Sequence, residues 1–133
     1  MKAEVKRHFD QIAKDYDKYK TMNWYYYDHI KKFLKENVPP GARVLEVGCG
    51  TGELVHFVEP RCGCGVDISE RMIERAREKF PDLQFEVGEV ESLSVTEKFE
   101  YVLMIDLLDH SFEQRFFDQF RQDDVMILLV VSP

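Results

Sequence analysis

The chain has 133 residues, 44% hydrophobic and 32% charged, which suits one domain with a real core. No apolar run approaches the roughly 20 residues that span a bilayer, and Met1-Lys2-Ala3-Glu4 does not open a signal peptide, so the expected setting is cytoplasmic, away from membranes. The net charge of -7 divides into +3 over residues 1–40 and -10 over the rest, and an acidic body disfavours nucleic acid, whose phosphates need clustered cations.

Val5, Phe9, Ile12, Ala13 and Tyr16 recur at helical spacing and predict an amphipathic helix over 3–19. The cations of this N-terminal segment either bias a lid toward acidic substrates or form a solvated helix face. A second helix, about 23–36, carries Tyr26, Ile30, Phe33 and Leu34 on one side; Asn37-Val38-Pro39-Pro40-Gly41 ends it, because proline blocks continuation. Within it, Trp24-Tyr25-Tyr26-Tyr27 either line a substrate pocket or pack on the rest of the fold. Residues 43–49 then read as a strand, 52–58 as a short helix stopped by Pro60, and 62–68 as a second strand. Ser69 is placed to cap a helix carrying Met72, Ile73, Ala76 and Phe80, which Pro81-Asp82 terminates. A third strand over 83–90, a fourth over 101–106, a helix over 112–121 and a fifth strand over 124–132 complete the chain.

This alternation predicts an α/β fold, a mostly parallel sheet with helices on both faces. Val44-Leu45, Val102-Leu103-Met104-Ile105 and the run 125–131 are near-continuous apolar stretches, as strands buried on both sides require. With no repeat, low-complexity tract or linker, the expectation is a single domain over 1–133: an N-terminal helical lid or substrate segment (1–40) and a core (41–133). The cysteines, Cys49, Cys62 and Cys64, are odd in number and lack framework spacing, so they read as reduced thiols. Cys62 and Cys64 have no His or Cys partner nearby, and no metal is expected.

The chemistry concentrates in Val44-Leu45-Glu46-Val47-Gly48-Cys49-Gly50-Thr51-Gly52, an apolar strand running into a glycine-dense turn before a helix. Such turns hold nucleoside-containing cofactors over the end of a parallel sheet. The spacing is Gly-x-Gly-x-Gly with Glu46 two residues before it. It is not the Gly-x-Gly-x-x-Gly of dinucleotide enzymes, so a dinucleotide oxidoreductase is disfavoured. Asp67 follows Gly48 by nineteen residues, near the offset at which an acid accepts from ribose hydroxyls; the plainer alternative is that it caps the helix beginning near Ser69. Ligands of open parallel sheets sit beyond the carboxyl ends of the strands, which turns Asp106 and His110 toward the site. His110 is then either a proton acceptor for a substrate hydroxyl or amine, or a structural histidine.

Over about residues 5–132, the glycine loop, Asp67, Gly88-Glu89 and the segment Ile105-Asp106-Leu107-Leu108-Asp109-His110 together resemble the class I S-adenosylmethionine (SAM)-dependent methyltransferases. The resemblance implies a Rossmann-like, doubly wound sheet in the order 3-2-1-4-5. It also implies SAM as cofactor, S-adenosylhomocysteine (SAH) as product and a small-molecule acceptor. It places Glu46, Gly48, Cys49, Gly50, Gly52, Asp67, Ile68, Met72, Glu89, Val90, Asp106 and Tyr16 at the cofactor, with Glu89 facing the adenine amino group, and makes His110 and Asp106 the candidates for catalysis. Family members usually continue with strands 6 and 7, which this sequence lacks. The expectation is therefore that the apolar fifth strand is an open edge covered by a second copy in a homodimer. A SAM-binding module with little or no catalysis is the alternative function.

Overall fold

The structure is a computed structural model that describes residues 24–89, 98–105 and 126–130, of which 24–26 and 126–130 enter by their backbone alone. Its elements in chain order are α1 (Trp24–Asn37), β1 (Arg43–Val47), α2 (Glu53–Phe57), β2 (Cys62–Asp67), α3 (Glu70–Lys79), β3 (Gln84–Val87), β4 (Tyr101–Ile105) and β5 (Met126–Val130). The helices predicted over 3–19 and 112–121 lie outside the described residues.

All four strand pairings are parallel, and the sheet order is β3-β2-β1-β4-β5. This is the expected doubly wound order. The chain leaves central β1 for β2 and β3 on one side and returns to β4 on the other, which puts the topological switch between β1 and β4. Val44, Leu103, Ile105 and Phe85 join Ile30 and Leu34 of α1, Leu54 and Val55 of α2, and Ile73 and Ala76 of α3 in one buried cluster. Strand residues alternate between faces, so Leu45, Val47, Val66, Val102 and Met104 belong to the opposite face, and they too are buried. That double burial is why β1 and β4 read as near-continuous apolar runs rather than alternating ones.

Element ends depart from expectation where backbone bonds intervene. Asn37 stays helical, and its Nδ2 donates to the Phe33 carbonyl at 2.7 Å, satisfying an acceptor the helix end would otherwise orphan. β3 is shorter than the predicted 83–90. Leu83 N–H turns back to the Phe80 carbonyl at 3.1 Å, so pairing with β2 begins at Gln84, and it stops once β2 ends at Asp67. On the amino side of the sheet, Gly41 N–H donates to Glu59 O and Arg61 N–H to Ala42 O, joining the loops that precede β1 and β2. No described helix is long and apolar enough to cross a membrane.

Candidate functional site

The strand register brings the carboxyl ends to one edge. Val47 stands opposite both Val66 and Met104, and Asp67 stands opposite Val87. Gly48 to Gly52, Asp67 with Ile68, and Gly88 with Glu89 therefore meet at the same edge, where Ile105 also ends β4. The Gly88 N–H donates to the Asp67 carbonyl at 2.9 Å and ties the third strand's exit to the second's. Glu89, expected near this edge, lies there and is half-buried.

The glycine loop bends back onto β2. Gly48 and Cys49 N–H both donate to the Val66 carbonyl, at 2.8 and 3.0 Å, Gly50 N–H donates to Asp67 Oδ2 at 2.9 Å, and Gly52 N–H donates to the Cys49 carbonyl at 3.0 Å. Gly48, Gly50 and Gly52 all have left-handed backbone, with φ of 71°, 57° and 84°. A side chain in that region costs roughly 1–2 kcal/mol per residue, which explains glycine at every second position. Because these four amides donate within the protein, the loop offers bare backbone surface rather than a cradle of free donors. That suits a ligand carrying no phosphate better than a pyrophosphate, which needs amides directed at it.

Asp67 is a clamp. Its Oδ2 takes the Gly50 amide and its Oδ1 takes the Ser69 amide, each at 2.9 Å, so one carboxylate joins the loop after β1 to the start of α3. The helix cap proper is Ser69, as expected: its Oγ accepts from Met72 N–H at 3.3 Å.

Glu46, expected to help organise the cofactor site, is a buried residue of β1. It is 2% exposed, and its Oε1 accepts from Val55 N–H at 3.1 Å. Val55 is the third residue of α2, whose N-cap, Gly52, has no side chain to cap with. Glu46 supplies that missing acceptor from the neighbouring strand, and its charge favours the positive end of the helix.

Met72, also expected at the cofactor, is 1% exposed. It stands with Ile73 and Ala76 among the buried residues of α3. The Cys49 side chain likewise turns inward: a Cβ built on Gly65 would meet Cys49 Sγ at 2.7 Å. Cys49 thus has only its backbone to offer a ligand. Ile68, between Asp67 and Ser69, is half-buried. Tyr16, Val90, Asp106 and His110 lie outside the described residues.

One residue that the sequence did not single out completes the edge. Phe85 is the one buried residue of β3, and its ring abuts both Gly65 and Gly52. The available signal was the pair of glycines inside β2, at 63 and 65, since glycine within a strand marks close approach. Cys62, Cys64 and Cys49 are free thiols, and among the described residues no group of three or more His, Cys, Asp or Glu could hold a metal ion.

A family model described as a methyltransferase domain matches residues 44–122. The chain is 32% identical over 108 residues to a malonyl-[acyl-carrier protein] O-methyltransferase of Ilyobacter polytropus, covering 76% of this chain and 40% of that protein. It is also 32% identical over 76 residues to a dTDP-3-amino-3,4,6-trideoxy-alpha-D-glucopyranose N,N-dimethyltransferase of Streptomyces venezuelae, covering 56% of this chain and 32% of that protein. The chain thus spans less than half the length of these relatives. Its fold is similar to that of magnesium protoporphyrin IX methyltransferase from Synechocystis, solved with bound SAM: the TM-score is 0.70 at 20% identity, over 99% of this chain and 76% of that one.

Proposed function

The chain belongs to the methyltransferase-domain family, of the class I SAM-dependent kind, and on that premise we propose that it binds SAM at the carboxyl edge of the sheet and methylates a small-molecule acceptor. The observation that carries the reading is the loop 48–52, whose amides turn inward to Val66, Asp67 and Cys49 and leave backbone for a phosphate-free nucleoside to lie on. When bound, SAM supplies a methyl group on a sulfonium, which an acceptor takes by in-line displacement.

The protein's share of that chemistry is alignment and exclusion of water. Asp67 accepts from the ribose hydroxyls while holding Gly50, and Glu89 accepts from the adenine amino group beside it. Glu46 fixes the angle at which α2 leaves the loop. Ile68 and Val90 flank the base, and Tyr16 covers the cofactor from the 1–40 segment, which acts as lid to the 41–133 core. Asp106 begins where β4 ends and supports the cofactor's methionine part or the substrate, with His110 as the base for an acceptor that must lose a proton. The relatives named above act on a carrier-bound malonyl group and on a nucleotide-linked amino sugar, so the acceptor class is read here only as a small organic group. Three free thiols suit a reducing, cytoplasmic setting, and β5, outermost among the described strands, is the edge through which a second copy would pair.

Calorimetric titration with SAH, followed by transfer of labelled methyl from SAM to a panel of small acceptors, tests this. Stoichiometric micromolar binding with turnover on at least one acceptor is expected. Binding without turnover on any of them would favour the SAM-binding module, and a folded chain that does not bind SAH would end the proposal.

A further inference from the structure

Phe85 sits on the sheet's edge strand, where its neighbours Gln84, Glu86 and Val87 are all exposed, yet it is only 4% exposed itself. The register places Phe85 beside Gly65 and Gly65 beside Glu46, in one row on the face that α1, α2 and α3 cover. Because Gly65 has no side chain, the ring can lie across β2 and reach the glycine loop. Phe85 Cδ1 is 2.8 Å from where a Gly65 Cβ would stand, and Cε1 and Cζ are 2.7 and 2.6 Å from where a Gly52 Cβ would stand. One edge of the ring, from Cδ1 through Cε1 to Cζ, fills both notches. The strand carrying it is itself secured, since Arg77 Nη2 of α3 donates to the Phe85 carbonyl at 2.9 Å.

The first three residues of the loop hang on β2 through the Val66 carbonyl and the Asp67 carboxylate, and Gly52 N–H donates to the Cys49 carbonyl within the loop itself. The ring of Phe85 reaches this far end from β3 and meets it more closely than Phe80, whose Cδ2 is 3.4 Å from where a Gly52 Cβ would stand. We propose that Phe85 is a positioning residue for the cofactor loop, acting as a wedge that sets the height of Gly52 and the start of α2 above the sheet. The link to cofactor affinity rests on the function proposed above; the wedge itself does not.

The substitution Phe85→Leu separates the two notches. Leucine keeps a δ-carbon against Gly65 and removes the ε- and ζ-carbons that meet Gly52. The control is Leu34→Ala, a truncation at a fully buried site on α1 that removes core packing while keeping the Phe85 ring in place. In the ligand-free full chain, amide hydrogen exchange of Gly52 and of His56, which donates to the Gly52 carbonyl, is measured against Leu45 in β1. Phe85→Leu is expected to speed exchange at Gly52 and His56 by about tenfold relative to Leu45, while Leu34→Ala leaves that ratio unchanged. SAH affinity should fall by about five- to tenfold in Phe85→Leu and stay level in Leu34→Ala. If Phe85→Leu does not fold, Phe85→Met takes its place, with a smaller change in the same ratio because a thioether chain partly refills the notch. An unchanged exchange ratio in the folded variant overturns the wedge. Failure of the unmodified chain to bind SAH would remove the function while the exchange ratio still decides on Phe85.

Discussion

Asp67 holds two backbone amides, so deleting it cannot by itself reveal a ribose contact: Asp67→Ala frees Gly50 and Ser69 at the same time as it removes any acceptor for a ligand. The informative experiment crosses protein and ligand changes. SAH and its 2′-deoxy analogue are titrated against the unmodified chain and against Asp67→Asn, which puts an amide nitrogen where one backbone N–H needs an acceptor. Asp67→Asn should weaken SAH binding by roughly 10- to 100-fold, the worth of a charged hydrogen bond, and lose most of its preference for SAH over the deoxy analogue. Equal losses for both ligands would leave Asp67 as a clamp alone. Glu46 calls for the opposite comparison. Glu46→Ala orphans the buried Val55 N–H and should cost about 1–3 kcal/mol in chemical denaturation, whereas Glu46→Gln keeps an oxygen for that amide and should cost less. A glutamine variant as unstable as the alanine variant would mean that charge at the head of α2, rather than the hydrogen bond, is what the buried acid contributes.

At the scale of elements, β1 and β4 were legible because a strand buried on both faces must be apolar along its length, and the α3 start was legible because serine before a helix has a specific use. Ser69→Ala should lower stability by about 1 kcal/mol by thermal melting, the usual worth of an N-cap hydroxyl such as the one that accepts from Met72 N–H. What stayed hidden are relations between elements. Nothing local in Glu46 says that its carboxylate caps a helix nine residues on; that follows from Gly52 needing left-handed backbone and so leaving the N-cap without a side chain. Met72 lies on the helical spacing of Ile73 and Ala76, yet the sequence does not say which of the three ends against the site and which beneath it. Phe85 was unreadable for the same reason: its partners, Gly52 and Gly65, are brought to it by the order of the strands. Gly65→Ala tests how tight that junction is. Its methyl would meet Cys49 Sγ at 2.7 Å and Phe85 Cδ1 at 2.8 Å, both buried, so a loss of about 1–3 kcal/mol is expected from overpacking.

At the scale of the molecule, cofactor binding and pairing of copies make separable demands on stability, because each is a linkage with its own concentration. A ligand that binds only the folded chain adds about 2.7 kcal/mol at a hundred times its Kd, which for a domain of this size raises Tm by several degrees. SAH at that level should therefore shift the melting midpoint upward, by an amount set by SAH concentration and not by protein concentration. A homodimer formed through β5 predicts the converse: in the absence of SAH, the midpoint should climb as the protein is concentrated from about 1 to 100 μM, and sedimentation should show two copies at the upper end. The two effects are independent because β5 is an edge strand of the described sheet, two strands from β1, whereas the loop 48–52 follows β1 at the sheet's centre and rests on β2, on the opposite side from β5. Placing a lysine at Leu128, in the middle of β5, should accordingly abolish the dependence on protein concentration, as charge does on an edge strand, and leave the shift caused by SAH in place. A midpoint insensitive to protein concentration, together with sedimentation as a single copy at tens of micromolar, would rule out the dimer and leave the cofactor site untouched.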